Sequence, residues 1–358
     1  MYLNVAVDFS ENFIEKVAEY EEVKVLFGKM PSDYIGGGID TSLLKNISYD
    51  YFFAYIEKAK KNGILFNYII NAPTNRNNEF SEKGKRKINE LLSILNELEL
   101  ESVTVSNPFL LLYIKHNFKN LRIKASANFN IDSVEKARKV KNMGADILVL
   151  DPMLVNRDFS TLKKIRKEIG EELEIIVNNN CLLTCPMLNY HQNYLGLLEP
   201  SDSDKKDFCY QLCSAERIKN PINYIKSDII RPEDLHYYEE LGFERFKIID
   251  RCTPPDLMLK RVKAYIEHRY NGNLLDIIQH FGYKDSISSK EYIRNIYIDN
   301  NALDGFMEQF VSEKCNGRNC SSKCKYCDEY AKKSILIDND FYKNNSSNKE
   351  RDISYMLK

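Results

Sequence analysis

No stretch of this sequence approaches the roughly 18 consecutive apolar residues that a membrane-spanning helix needs. The opening residues, MYLNVAVDFSENF, also lack the basic segment and long apolar run of an export signal. The net charge is only -1, so nothing indicates a general affinity for nucleic acid or for a membrane surface. These absences predict a soluble, cytoplasmic protein that does not act at a membrane.

Several catalytic and nucleotide-binding motifs are also missing. The chain has neither a G-x-x-x-x-G-K-S/T nor a G-x-G-x-x-G fingerprint, and neither a G-x-S-x-G elbow nor an H-E-x-x-H pair. Its five histidines are scattered without metal-ligand spacing, at His116, His191, His236, His268 and His280. A serine hydrolase and a histidine-held zinc protease are therefore disfavoured. The run Gly36–Gly38 is interpreted as a flexible loop.

Cysteine, in contrast, is present in a pattern, because eight of the nine cysteines fall into two groups. The first group is Cys181, Cys185, Cys209 and Cys213, and the second is Cys315, Cys320, Cys324 and Cys327. Four thiolates at such short spacings are the ligand set of a tetrahedral zinc or of an iron–sulfur cluster. A large chain without an export signal is expected to keep its thiols reduced, so the pattern predicts two metal sites and not a disulfide framework.

Eight short apolar runs recur along the chain, separated by amphipathic stretches. They lie at 3 to 9, 23 to 28, 64 to 73, 102 to 108, 122 to 129, 145 to 152, 173 to 180 and 245 to 251. This alternation indicates parallel strands joined by right-handed crossovers, and eight strands are the number that closes a (β/α)8 barrel. An α/β fold with a TIM-like barrel is therefore predicted, with a doubly wound open sheet as the alternative.

The pattern changes after the last apolar run. Helical segments with tyrosine lead into the second cysteine group, and a polar stretch follows it. We predict a barrel over residues 1–262, a small helical, cysteine-rich and metal-binding extension over 263–334, and a mobile tail over 335–358.

Polar residues at the ends of the apolar runs are the candidates for chemistry, because TIM-barrel active sites form at the carboxyl ends of the strands. These residues are Asp8, Asn71, Asn107, Ser126, Asn128, Asp151, Asn178, Asn179 and Asn180. Asparagine is common in turns whatever the function, so most of them are expected to be loop residues. Cys181 directly follows the seventh run, which places the first cysteine group at the active end of the predicted barrel.

Several segments occur in the order found in one known family. They are Lys124–Asn128 on the fifth run, then MGADILVLDP, LEIIVNNNC, RPEDL, and Lys247–Arg251 on the last run. Over roughly residues 20 to 255 the chain resembles the peptidase U32 family, the collagenase-like proteases. It departs from the family pattern at Lys124, Ala127 and Asp250, which indicates a divergent branch.

The resemblance implies a 4Fe-4S cluster at the first cysteine group, Cys181, Cys185, Cys209 and Cys213. Members of this kind resemble oxygen-independent hydroxylases, which act in anaerobic ubiquinone synthesis or on RNA bases and in some cases use prephenate as the oxygen source. Some members work as heteromeric pairs, so a partner chain of the same family is one implied option.

From the residues alone, zinc stays open at both groups, because four thiolates at these spacings also close a tetrahedron. His191 and Cys252 are further candidate ligands at the first site. Three cysteines of the second group have the C-x3-C-x2-C spacing of radical S-adenosylmethionine enzymes. Their position after the barrel and the fourth cysteine, Cys315, favour instead a fully ligated second cluster or a structural zinc.

Three functional hypotheses follow. The first is a redox enzyme that hydroxylates or otherwise modifies a small molecule or an RNA base. In it Lys247 and Arg251 pair with a substrate carboxylate or phosphate, and Ser126 and Asn128 are further catalytic candidates. A salt bridge in the barrel mouth is the structural alternative for the two cations. The second hypothesis is a metal-stabilised, non-catalytic partner subunit, and the third is a peptidase.

Overall fold

Eight parallel strands close a barrel in the computed structural model, which describes residues 1–31, 33–39, 44–198, 207–278, 296–321 and 323–337. The strands are β1 Tyr2–Ala6, β2 Val23–Gly28, β3 Leu65–Ile70, β4 Ser102–Val105, β5 Ile123–Ala125, β6 Ile147–Val149, β7 Leu173–Ile176 and β8 Arg245–Ile248. β8 pairs with both β7 and β1, so that Asn4 lies opposite Lys247 at the closing seam. The predicted (β/α)8 barrel is confirmed, and the open-sheet alternative is wrong because β8 closes back on β1.

Helices connect the strands and bury their apolar faces against them. The α-helices are α1 Phe13–Val17, α2 Tyr49–Lys61, α3 Glu82–Glu97, α4 Pro108–Asn117, α5 Val134–Asn142, α6 Pro152–Val155, α7 Phe159–Ile169, α8 Leu188–Leu197, α9 Phe208–Lys219, α10 Asn223–Lys226, α11 His236–Glu239, α12 Pro255–Ile266, α13 Glu308–Val311 and α14 Tyr326–Ser334. Short 3-10 turns occupy Asn78–Phe80, Ala127–Phe129, Pro232–Asp234, Leu274–Asp276 and Asn301–Leu303. Within the described residues, none of the helices has the length and apolar composition needed to cross a membrane.

Several helices begin at a side chain that accepts hydrogen bonds from the first-turn amides. Ser48 and Ser81 do so for α2 and α3, and Asn107 does so for α4. These caps satisfy amides that have no partner within the helix. They therefore help to set the residue at which the chain turns from a strand-end loop into the next helix.

The barrel interior contains a charged network. Glu174 Oε2 accepts from Lys124 Nζ at 2.7 Å and from Asn4 Nδ2 at 3.0 Å, and Lys247 Nζ lies 3.7 Å from Glu174 Oε1. All four residues are buried, and they come from strands on opposite sides of the barrel, so their side chains point into it. Burial alone raises the pKa of Glu174, but Lys124 and Lys247 outweigh it and hold the pKa at about 2. An ionised Glu174 therefore joins β5, β7 and β8 from within.

The region after the barrel contains a second, small sheet. β9 Ile296–Ile298 pairs antiparallel with β10 Ile335–Ile337. The predicted domain boundary at residue 262 falls inside α12, which continues to Ile266. Residues 335–337 of the predicted tail form β10, and residues 338–358 lie outside the described part of the chain.

Candidate active site at the barrel mouth

Two buried cations lie beyond the carboxyl ends of β2 and β8. Lys29 directly follows β2, and its Nζ lies 2.8 Å from Asp33 Oδ1. Tyr68 of β3 donates its hydroxyl to Asp33 Oδ2 at 2.6 Å. Burial lowers the pKa of Lys29 and raises that of Asp33, while the charge of each partner opposes the shift. Arg251, which follows β8, donates from Nη2 to the Gly37 carbonyl at 2.5 Å.

Arg251 adds a positive charge for which the described residues provide no salt-bridge partner. Its side chain is only 8% exposed, and its Nη1 has no hydrogen-bond partner in the described part of the chain. Burial lowers the pKa of Arg251 to about 10, so the guanidinium remains charged at neutral pH. A buried, unpaired cation is costly unless an anion comes to it. This end of the barrel is therefore suited to a carboxylate or a phosphate.

The run Gly36–Gly38 packs directly against these cations. A Cβ at Gly37 would lie 2.1 Å from Lys29 Cδ and 3.2 Å from Arg251 Nη1. A Cβ at Gly36 would lie 1.8 Å from the Gly196 carbonyl oxygen of α8. The run lies in a loop, as interpreted, and its flexibility stays a prediction. Its glycines allow the backbone to approach side chains and α8 more closely than any other residue type could.

Gly37→Ala is therefore expected to lower the free energy of unfolding by about 1–3 kcal/mol, the usual cost of overpacking. The added methyl group would force Lys29 away from its position beside Asp33. Urea unfolding of the variant and of the wild-type chain measures the difference. An unchanged transition midpoint would contradict the steric explanation.

The predicted catalytic residues Ser126 and Asn128 meet at Asn71. Asn71 Nδ2 donates to Ser126 Oγ at 3.3 Å, and Asn128 Nδ2 donates to the Asn71 carbonyl at 3.2 Å. Asn71 Oδ1 is buried without a hydrogen-bond partner among the described residues, and a Cβ at Gly38 would lie 3.1 Å from it. The ends of β3 and β5 thus form one polar cluster under the glycine run that also covers Arg251. Catalysis by Ser126 and Asn128 stays a prediction.

Other strand-end residues make local structural contacts. Asp8 accepts from the amide and the hydroxyl of Ser10 at 3.0 and 2.7 Å. Asn107 caps α4, and Asp151 caps α6. Asn178 exchanges two hydrogen bonds with the backbone of Ile249, which ties the ends of β7 and β8 together.

Lys247 lies deeper than Arg251. Its Nζ is 3.7 Å from Glu174 Oε1 and 4.2 Å from the centroid of the Phe27 ring. The contact with Glu174 is a salt bridge, which is the structural role predicted from the sequence as the alternative to substrate binding. Contact of Lys247 with a substrate stays a prediction. At the mouth, the buried Nη1 of Arg251 has no hydrogen-bond partner among the described residues.

The first cysteine group lies in two segments that follow β7 in the chain. Cys181 follows this strand, whereas Cys209 and Cys213 lie one turn apart on α9. Burial raises the pKa of Cys209 to about 11, with contributions from the charges of Cys185 and Cys213. Burial also raises the pKa of Cys181, with a smaller contribution from Cys213. Cys213 thus contributes to the pKa of both Cys181 and Cys209, and Cys185 contributes to that of Cys209.

The four thiols fit a metal centre in number and in chemistry. They come from two segments that meet at the carboxyl end of the barrel, which is the donor set of a zinc ion or a cubane cluster. In the part of the chain that the structure describes, no three or more His, Cys, Asp or Glu side chains are already arranged to hold a metal ion. Binding would therefore require the thiols to turn toward a common centre, and a bound metal would deprotonate them.

The two further candidate ligands have other neighbours. His191 Nε2 lies 2.7 Å from Oδ2 of Asp207, the residue that caps α9. Burial lowers the pKa of Arg251, and the adjacent Cys252 opposes this shift. Cys252 thus acts electrostatically on the guanidinium of Arg251. Metal ligation by His191 or Cys252 stays a prediction.

Sequence reasoning missed two buried charged residues beside Cys181. Asp228 Oδ2 accepts from Asn179 Nδ2, and its Oδ1 has no hydrogen-bond partner among the described residues. Burial raises the pKa of Asp228 to about 6. Arg217 donates from Nη1 to Cys213 Sγ at 2.8 Å. The available signals were an acid next to the apolar pair at 229–230 and an arginine one helical turn after a cysteine.

The second cysteine group lies against the barrel near Arg157. Burial raises the pKa of Cys327 to about 11, Arg157 opposes this shift, and Cys320 and Cys315 contribute to it. The Arg157 guanidinium carbon also lies 5.0 Å from the centroid of the Phe310 ring. Cys315 and Cys327 are half-buried, whereas Cys320 and Cys324 are exposed.

The sequence profile of peptidase family U32 matches residues 44–271, a region that contains β3 to β8 and α12. The chain belongs to peptidase family U32. The resemblance drawn from the sequence is thereby confirmed.

Two relatives extend this comparison. The U32 chain is 31% identical over 325 residues to "Uncharacterized protease MJ1657" of Methanocaldococcus jannaschii, which covers 90% of this chain and 92% of the relative. That match is longer than the family region and so extends outside it. The solved structure of "the U32 Peptidase Mk0906" has a TM-score of 0.53 at 19% identity, and it covers 71% of this chain and 95% of that chain. This second likeness shows the shared fold.

Proposed function

We propose that this U32 chain is an iron–sulfur enzyme that carries out an oxygen-independent hydroxylation, or a related redox modification, of a small molecule or an RNA base. The observation that carries the proposal is the pair of hydrogen bonds from Arg217 to Cys213 Sγ and to the carbonyl of Asn180, the residue before Cys181. They bring the two cysteine segments together beyond β7, at the end of the barrel where TIM-barrel enzymes bind their substrates. Cys181, Cys185, Cys209 and Cys213 would hold a 4Fe-4S cluster. When bound, the cluster would supply electron transfer beside the substrate.

The surroundings of Arg251 indicate that the substrate or a co-substrate carries an anionic group. Its buried Nη1 has no hydrogen-bond partner among the described residues, and Lys29, paired with Asp33, is a second buried cation there. A carboxylate or phosphate would complete the hydrogen bonds of the guanidinium. Ser126 and Asn128 would position other polar groups through the cluster at Asn71.

A hydroxylation needs a source of oxygen. It replaces a C–H bond by a C–OH bond and removes two electrons from the substrate. In the proposed reaction an organic hydroxy acid donates the oxygen atom and takes up these two electrons. The carboxylate of such a donor is the type of anion that Arg251 is suited to bind.

The second cysteine group is proposed to hold a second cluster or a structural zinc. The Gly317 amide donates to Cys315 Sγ at 3.4 Å, and a backbone donor of this kind supports a sulfur that ligates a metal. Reduced thiols at both sites imply the cytoplasm as the compartment. A second U32 chain is the partner that the family resemblance implies.

The first experiment is purification without oxygen, followed by iron, sulfide and zinc analysis and visible spectroscopy. About four irons per chain with matching sulfide indicate one cluster, and about eight indicate two. Colourless protein with zinc and without iron, obtained under these conditions, would contradict the redox proposal.

The peptidase hypothesis is supported by the printed names of both relatives. The same preparation is therefore tested for hydrolysis of unstructured peptides, before and after removal of the metal. Hydrolysis that survives metal removal and the loss of a thiol ligand would establish a peptidase instead. Turnover that occurs only with a second U32 chain would identify a partner subunit.

A further inference from the structure

Arg217 connects the two halves of the first cysteine group. It lies on α9, one turn after Cys213, and its side chain is only 4% exposed. Nη1 donates to Cys213 Sγ at 2.8 Å, and Nη2 donates to the carbonyl of Asn180, the residue before Cys181. One guanidinium therefore holds the sulfur of one half and the backbone of the other.

The guanidinium is itself held in place. Its carbon lies 5.8 Å from the centroid of the Tyr224 ring of α10, within the range of a cation–π contact. Fixed on one side by this ring and on another by the Asn180 carbonyl, it has little freedom to leave Cys213. The planar fork of arginine can serve the sulfur and the carbonyl together, whereas lysine presents a single charged nitrogen.

An arginine in this position has a specific consequence for a thiolate-held centre. Four thiolates bring negative charge into a buried site, and a buried cation stabilises that charge. A hydrogen bond to a ligating sulfur also stabilises the more negative, reduced state of an iron–sulfur centre and so raises its reduction potential. Replacing a residue that hydrogen-bonds to a metal ligand, without binding the metal itself, typically changes metal affinity by roughly 10–100-fold.

We propose that Arg217 is the positioning residue of the first metal centre, fixing Cys213 relative to Cys181 and raising the reduction potential through its N–H···S hydrogen bond. This inference rests on the proposed function for the presence of a redox-active cluster. The role in holding the ligands applies to zinc as well, because it depends on the geometry of the two segments.

The test compares Arg217→Met and Arg217→Lys with the wild-type chain and with a control, Arg166→Met. Arg166 donates from Nε to the Gly242 carbonyl at 2.8 Å, outside the cysteine group. Circular dichroism establishes that each variant is folded. The readouts are the rate of metal loss to a chelator and the midpoint potential of the cluster.

Arg217→Met is expected to lose metal from this site roughly 10–100-fold more readily and to have a lower midpoint potential. Arg217→Lys keeps the charge and is expected to recover part of both properties, while Arg166→Met matches the wild type. If Arg217→Met does not fold, the Arg217→Lys variant tests the inference. A rate of metal loss and a midpoint potential equal to those of the wild type in Arg217→Lys would overturn it.

The outcomes separate the two proposals. If the wild-type protein contains zinc and no iron, the proposed redox function and the effect of Arg217 on the reduction potential are both contradicted. In that case, unchanged zinc retention in Arg217→Met would also overturn the positioning role of Arg217. Wild-type protein with iron, combined with unchanged retention and potential in Arg217→Met, overturns only the inference on Arg217. A wild-type chain that binds neither metal overturns both.

Discussion

Cys181→Ser is expected to remove the iron held at the barrel mouth, about four atoms per chain, and to abolish redox turnover. Serine supplies an oxygen in place of the soft thiolate that iron–sulfur clusters require. Cys181 lies in the segment that directly follows β7, so the loss affects the part of the site closest to the barrel. Iron and sulfide analysis after purification without oxygen measures the effect.

Cys252→Ser is the matched control for this experiment. Cys252 also lies near the barrel mouth, beside Arg251, but does not belong to the first cysteine group. Its replacement is expected to leave the iron content unchanged. Loss of iron in Cys252→Ser, with retention in Cys181→Ser, would show that Cys252 replaces Cys181 as a ligand.

Glu174→Gln is expected to lower the free energy of unfolding by about 3–5 kcal/mol, the usual cost of breaking a buried ion pair by removing one partner. Lys124 Nζ would lose the Glu174 carboxylate at 2.7 Å and keep the more distant Glu101 carboxylate at 3.8 Å. Lys247 would lose the Glu174 carboxylate at 3.7 Å. Both lysines are buried in the barrel, where water cannot replace the lost charge. Urea unfolding at neutral pH measures the difference.

Glu168→Gln is the matched control, since Glu168 lies 2.9 Å from Arg138 on the protein surface. Little measurable change is expected there, because water screens an exposed pair. Equal stability of the Glu174→Gln variant and the wild type would show that the internal network does not stabilise the barrel.

The pH dependence of the same variant provides a second test. Glu174 has a pKa of about 2 in the folded chain and 4.5 as its ordinary value. A carboxyl whose pKa is depressed by folding stabilises the fold above its unfolded pKa, and this contribution is lost as the pH falls toward the folded pKa. The wild-type chain should therefore lose stability between pH 4.5 and about 2, and Glu174→Gln should lack this part of the loss.

The barrel could be predicted from the sequence because each strand carries its own signal. Segments such as Leu173–Ile176 are short, apolar and buried throughout, and amphipathic helices such as α3 and α7 recur between them. Local patterning of this kind needs no knowledge of distant contacts. The placement of Cys181 at the active end followed from the same pattern, since it comes just after the seventh strand.

The local sequence pattern could not distinguish the roles of Lys247 and Arg251, the two cations near the end of β8. Lys247 lies within the strand and in register with Asn4, so its side chain points into the barrel and reaches Glu174. Arg251 follows the strand and approaches Gly37 from more than 200 residues further along the chain. The partners of both are distant in sequence, and strand alternation alone did not reveal them.

The sequence by itself determined the number and order of the barrel strands, the family, and the cysteine groups, because apolar periodicity and ligand spacing are local properties of the chain. The tertiary structure alone decided which polar groups are neighbours. Arg217 meets Cys213 and Asn180, and Arg251 meets the glycine run, only after the barrel has closed and its loops have packed. Burial then sets their charges and hydrogen-bonding needs, since the strength of an electrostatic contact depends on surroundings that distant segments supply.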